Sequence, residues 1–425
     1  SGPSPSTSPT GPASPPASPT GSVPATPAPS AAVVCDDTVT GGPAATMDPA
    51  GADATTYDEI EHQVEELRAL NATAPVARGV FDQAGLCAYL RTSFATDNPD
   101  ALVAATETLY KRMLLLPATA SLKDLYLALL TSQVAGLYDN KTRTMYVVSS
   151  SGNLGPTEEI TYAHEFTHAL QDQHFDLKKL MGDATDQSDR SMARSTLVEG
   201  DATLLMSLWA QAHLTPAELG QIAGSVDPAS TALLESMPAI LKDPLLFPYT
   251  SGLNVAMGAF TTGGFGGVDA MFSAPPESTE QVMHPEKLAS REAPVIVSFP
   301  SDLATRLGAG WKVSMQDTFG ELLLGIILRE GGATAPEDAA AGWGGDRVAL
   351  LEGSGGKVAV VMDASWDTAA DADQYAAALE PMVARLTAAG QSAAVLRPSE
   401  KRVVLVSAES ADTMGRVANV LGLAG

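Results

Sequence analysis

The chain has 425 residues, 45% of them apolar and 18% charged, with a formal net charge of −25. That composition builds a sizeable globular core, with more than one folded unit, and excludes a chain disordered throughout. No run of Lys and Arg supplies the cationic footprint nucleic acid requires, the acidic field repels an anionic membrane, and no window approaches the roughly 20 apolar residues that span a bilayer.

Residues 1–34 carry ten of the 29 prolines and no charge at all. Such a Pro/Ser/Thr-rich stretch cannot bury a core and adopts extended, semi-stiff conformations. With Cys35 it reads as a disordered tether over 1–35, similar to the spacer of bacterial lipoproteins or cell-wall proteins. It predicts an extracytoplasmic protein, secreted or anchored in the cell envelope by lipid or wall, with no transmembrane span. The only two cysteines, Cys35 and Cys87, are too few for a disulfide scaffold. In an exported chain they either form one bridge or remain separate thiols.

From Tyr57 the pattern turns helical: Ile60, Val64, Leu67 and Leu70 share one helical face, and similar stretches continue to about residue 135. Over 136–150, "VAGLYDNKTRTMYVVSS" places two short β-rich runs around "DNKTR", a hairpin whose second strand is Thr144–Ser149. A helix is expected over Thr157–Leu177 and another around "STLVEGDATLLMSLWAQAHL". Pro244–Lys287, with its "FTTGGFGG" and "APPESTEQVMHPEK", reads as loop-rich. The fold class is therefore α+β: a mostly helical domain over 36–345 with a small hairpin or sheet, then a two-layer α/β accessory domain over 346–425. The latter has the order ββαββα and contains no histidine and no catalytic constellation.

Three of the six histidines fall within eleven residues of "TEEITYAHEFTHALQDQHFDL". Pro156 suits the first position of a helix, Glu158 and Glu159 favour its positive end, and no Gly or Pro interrupts the run from there to Leu177. On that helix His164 and His168 lie four residues apart, about 40° from each other, so both imidazoles point one way. This is the HExxH spacing at which two histidines ligate one zinc while the intervening Glu165 stands beside the metal's water as general base. A third ligand must come from elsewhere. Glu199 in "LVEGDAT" would complete a His2Glu set on the next helical stretch. His174 lies at the interval of the metzincin HExxHxxGxxH pattern, but Gln171 stands where that pattern has its helix-ending Gly, and continued helix turns His174 about 120° away. Asp172 is a third possibility, better placed as an acceptor for a His168 N–H.

The segments "HEFTHALQDQHFDL", "LVEGDA", "PPESTEQVMHPEKL" and "GWGGDR", spanning about Val134 to Arg347, resemble a family of bacterial zincin-type metallopeptidases. More broadly, HExxH followed by a downstream Glu is similar to the gluzincin clan that includes thermolysin. The resemblance implies a zincin-like peptidase domain over 36–345 and a Zn2+ held by His164, His168 and Glu199. It also implies hydrolysis of a peptide or protein substrate with Glu165 as base. Thermolysin-like enzymes carry, four residues after the ligand Glu, an Asp that orients a histidine. Here that position is Thr203, so the supporting role is open between Asp172 and Asp201. Tyr249 and His284 are the candidate donors to a developing oxyanion, and Thr144–Ser149 the candidate strand for pairing with an extended substrate. Trp343 and Asp346 read as structural. Two further readings stand beside this one: a catalytically silent zinc-stabilised protein, and a metal-free envelope binding lipoprotein.

Overall fold

The computed structural model of the chain describes residues 35, 46–47, 52–149, 154–182 and 184–423. The expected tether lies outside these residues except for Cys35. Among the described residues no helix is long and apolar enough to cross a membrane.

The first part contains α1 (Ala52–Arg68), α2 (Gln83–Asp97), α3 (Asp100–Arg112) and α4 (Leu122–Gln133), with strands β1 (Thr46–Met47), β2 (Ala77–Phe81), β3 (Gly136–Asp139) and β4 (Thr144–Val148). Helices were expected over 57–135, but β2 interrupts them. Its five residues bury only Gly79 and Phe81 on the core side, too short an alternation to stand out between two helices. β2 pairs in parallel with β4, and the sheet order is β1-β2-β4-β3. The expected hairpin is β3–β4, paired antiparallel from Gly136↔Val147 to Asp139↔Thr144. Cys35 is disulfide-bonded to Cys87 on α2.

Then come α5 (Pro156–Phe175), α6 (Leu177–Met181), α7 (Ser188–His213), α8 (Pro216–Gly224), α9 (Pro228–Ser236), α10 (Ala239–Ser273), α11 (Thr279–Met283) and α12 (Pro285–Ser290). α5 begins on Pro156, and the Glu158 carboxylate accepts the Gly155 N–H at 3.1 Å, satisfying a donor that a helix start leaves free. The expectation of loops over Pro244–Lys287 is overturned: α10 continues through Pro244 and Pro248 and breaks only at Gly263–Gly264, where Gly264 has φ of 61°. Burial of Ile240 and Leu241, of Phe247 and of Ala256 in separate parts of the core around α10 outweighs the helix bonds that two prolines remove.

The last part holds α13 (Leu303–Leu307), β5 (Lys312–Asp317), α14 (Gly320–Gly331), α15 (Pro336–Ala340), β6 (Trp343–Gly353), β7 (Lys357–Trp366), α16 (Ala369–Ala388), β8 (Ser392–Ser399), β9 (Arg402–Ala408) and α17 (Ala411–Val420). The ββαββα order is present, yet the sheet also recruits β5 from before residue 346, giving β5-β6-β7-β9-β8, antiparallel throughout. Nor is it two-layered. Leu350, Met362 and Leu405 pack towards Leu324 of α14 and Leu379 of α16, whereas Leu351, Val361 and Val406 pack towards Leu307 of α13 and Val417 of α17. Successive residues are buried on opposite faces, as a strand covered on both sides requires. The first of these clusters also takes in Leu109 of α3 and Leu129 of α4, so the sheet shares a core with the N-terminal helices. Asp346 accepts the N–H groups of Phe319 and Gly320 and the Trp343 indole N–H at 2.8–3.0 Å, fastening the start of α14 to β6. The architecture as a whole is α+β.

Candidate active site

α5 packs along α7, and α7 along α10. The α7–α10 crossing depends on two glycines. A Cβ on Gly200 would stand 2.2 Å from the Gly252 carbonyl oxygen, and one on Gly252 would stand 2.3 Å from that of Thr196. Only backbone against backbone allows so close an approach. The crossing sets Glu199, beside Gly200, near Tyr249, one turn before Gly252, and the Tyr249 hydroxyl hydrogen-bonds Glu199.

Glu199 faces the two histidines of α5. Its Oε2 lies 3.2 Å from His164 Nε2 and 3.4 Å from His168 Nε2, and the two Nε2 atoms are 3.1 Å apart. A tetrahedral ion bonded at about 2.0–2.1 Å has ligand atoms roughly 3.3 Å from one another. The triangle matches that spacing, so these three residues could hold one divalent ion with a fourth corner left over. A second acidic cluster, Glu280, Glu292 and Asp367, already surrounds a cation: Lys287 Nζ bonds Glu280 at 2.5 Å, Glu292 at 3.2 Å, and Asp367.

Electrostatics favour positive charge at the first cluster. Burial opposes a charged His168, but Glu199 and Glu165 outweigh it and raise the imidazole to about 9. Burial would likewise raise Glu199, yet His168 and His164 hold it well below the usual carboxylate range. A site that draws a proton so strongly also draws a metal cation, whose binding releases that proton. Glu165 is not part of the triangle. Burial pushes its carboxyl up against the opposing pull of His164 and His168, and it accepts the backbone N–H of Tyr138. Gly136 lets β3 come this close to α5, since a Cβ there would stand 2.6 Å from Thr161 Cγ2 and 3.0 Å from Glu165 Cγ.

His164, Glu165 and Tyr249 open onto a cavity of about 320 Å³. Leu130, Val134, Ala135 and Gly136 form one wall and Met206, Leu234, Leu245 and Leu246 the other. The strand along this cavity is β3, at the sheet edge, and not β4, which lies between β2 and β3. Ala135 turns its carbonyl to Val148 of the hairpin; by strand alternation Gly136 and Tyr138 turn their backbone groups to the open edge. The charge on Glu199, and then burial, hold the Tyr249 hydroxyl well above a phenol's ordinary pKa, so it stays a donor.

Several expected residues lie elsewhere. His284 Nε2 bonds Glu321 at 2.8 Å, outside this cavity, so it is not placed as an oxyanion donor; Pro285 starts a new helix there and turns it onto α14. His174 is exposed and bonds the Asn71 carbonyl at 2.8 Å, as uninterrupted helix requires. Asp172 does not support His168: it accepts from Tyr138 Oη at 2.9 Å and from the Leu177 N–H at 3.2 Å. Asp201 touches neither histidine. It binds Gln171 Nε2 at 2.8 Å and Arg68 through two nitrogens. The His168 partner is Gln171, whose Oε1 is 2.8 Å from Nδ1. Sequence reasoning missed it by reading position 171 only against a Gly template, although a residue three along the helix from His168 necessarily lies beside it.

Residues 305–418 match a family model described as a domain of unknown function (DUF8575). The match covers all five strands of the C-terminal sheet and none of α5 or α7. No curated protein matches the chain. A solved structure from Chloroflexus aurantiacus, described as a candidate hydrolase with a novel fold, is similar at 18% identity and a TM-score of 0.37, over 57% of this chain and 92% of that one.

Proposed function

We propose that the chain is a zinc-dependent peptidase of zincin type, acting on peptides or proteins outside the cytoplasm. One observation carries this reading: three ligand atoms lie within 3.4 Å of one another, and one of the ligands, His164, lines an apolar cavity together with the buried Glu165 carboxylate and the start of an open edge strand. A purely structural metal site has no use for the last two features. When bound, zinc polarises a carbonyl and makes water acidic near neutral pH. Glu165 takes the proton from a water attacking the peptide carbonyl and passes it to the departing amine, a task for which a carboxyl raised by burial is suited. The Tyr249 hydroxyl donates to the carbonyl oxygen as charge builds there, exchanging Glu199 for substrate as acceptor. The backbone groups of Gly136 and the Tyr138 carbonyl, on the open edge of β3, align an extended substrate, while the Tyr138 N–H stays on Glu165. The Cys35–Cys87 disulfide supports an exported location, because reducing cytosol keeps thiols apart.

The test is cleavage of a mixed peptide library followed by mass spectrometry. The wild type should cut, and Glu165→Gln, though still loaded with metal, should lose at least about a hundredfold in rate. Equal cleavage by Glu165→Gln would remove Glu165 as the base.

A further inference from the structure

We infer that Gln171 is a positioning residue that commits His168 to the tautomer able to bind metal, through a polarised chain that begins at Arg68. This rests on the proposed metal site. Arg68, Asp201 and Gln171 are all fully buried. A guanidinium only donates and an ionised carboxylate only accepts, so Asp201 receives from Arg68 Nε at 2.9 Å and Nη2 at 3.1 Å and has nothing to give. The Gln171 amide must therefore turn its Nε2 to Asp201, at 2.8 Å. The Val198 carbonyl, another pure acceptor, receives the same nitrogen at 3.0 Å. Two acceptors on one side settle which way the amide faces. Its Oε1 is left towards His168 Nδ1, and an oxygen there demands an N–H. With the proton on Nδ1, Nε2 keeps its lone pair, and Nε2 is the atom that faces His164 and Glu199. His164 has no such support: its buried Nδ1 lacks a partner among the described residues. His168 is thus the pre-organised ligand, and a single amide carries the direction of the chain from Arg68 to the metal.

The experiment is a zinc dissociation constant from competition with a chromophoric chelator, read beside the unfolding midpoint of the metal-free protein. Gln171→Leu keeps roughly the volume and removes all three side-chain hydrogen bonds, and zinc affinity should fall about 10- to 100-fold. Pairing Gln171→Glu with Asp201→Asn reverses the donor between the two positions while still presenting an oxygen to His168, at the cost of the donor to the Val198 carbonyl. This double variant should bind zinc more tightly than Gln171→Leu, recovering part of the lost affinity. Should Gln171→Leu fail to fold, the double variant decides alone: folded, yet binding as weakly as His168→Ala, it would overturn the inference. A folded Gln171→Leu with unchanged affinity would overturn it too. Wild type that binds no zinc would instead overturn the proposed peptidase.

Discussion

Gly200→Ala adds one methyl group at the crossing of α7 and α10, where the new carbon would meet Gly252 O at 2.2 Å, C at 2.4 Å and Cα at 2.8 Å. All three are backbone atoms, so no side chain can swing aside. Non-bonded heavy atoms settle at about 3.5 Å, so the helices must part by roughly 1 Å. Alanine gains about 1 kcal/mol over glycine within a helix, and overpacking of this kind costs about 1–3 kcal/mol or more. The expected net loss is about 0–2 kcal/mol or more in urea unfolding. The larger consequence falls on Glu199 and Tyr249, which flank the crossing. A displacement near 1 Å at a reacting centre costs on the order of a hundredfold in rate, so peptide cleavage should drop far more than stability. Gly220→Ala is the control: this exposed α8 glycine has nothing within 4 Å of its would-be Cβ, and the change should stabilise by about 0.5–1 kcal/mol. Gly200→Ala that is as stable and as active as wild type would refute the role assigned to the crossing.

Burial raises Asp189 to about 7, with Asp346 and Glu321 adding to the effect against its two bonds from Thr279. Its ordinary value is about 3.9, so the unfolded chain loses this proton first as pH rises. The contribution is then present below about pH 4, declines through pH 7 and is flat above. Asp189→Asn retains an oxygen for Thr279 and should flatten the fall of the unfolding midpoint between pH 4 and 7; an unchanged pH profile would contradict this. Asp346→Ala leaves the Phe319, Gly320 and Trp343 donors buried without their acceptor and should cost roughly 3 kcal/mol or more in urea unfolding. Breaking the Cys35–Cys87 bridge, which closes a loop of sequence separation 52, with Cys35→Ser should cost up to about 4 kcal/mol, read as a lowered urea midpoint.

The paired histidines were legible because HExxH needs only helical periodicity, and α5 supplies it without a break. Glu199 was legible as one of three candidates; spacing alone could not choose, because the choice depends on how α7 packs on α5. Tyr249 was named without its reason, since the Gly200–Gly252 contact joins residues 52 apart in sequence and leaves no local pattern. His284, Asp172 and Asp201 show the opposite limit: side chains of the right type whose partners were fixed by tertiary neighbours. Prolines and glycines misled over 244–287, where apolar packing of α10 overrides their usual effect. β2 went unseen because strand pairing with β4 is non-local.

The most direct measurement is zinc per chain, by elemental analysis of protein purified without added metal. About one zinc is predicted, lost in His164→Ala and in His168→Ala and retained in Glu165→Gln. Protein that carries no zinc, and takes up none when zinc is added to the folded chain, would contradict the account.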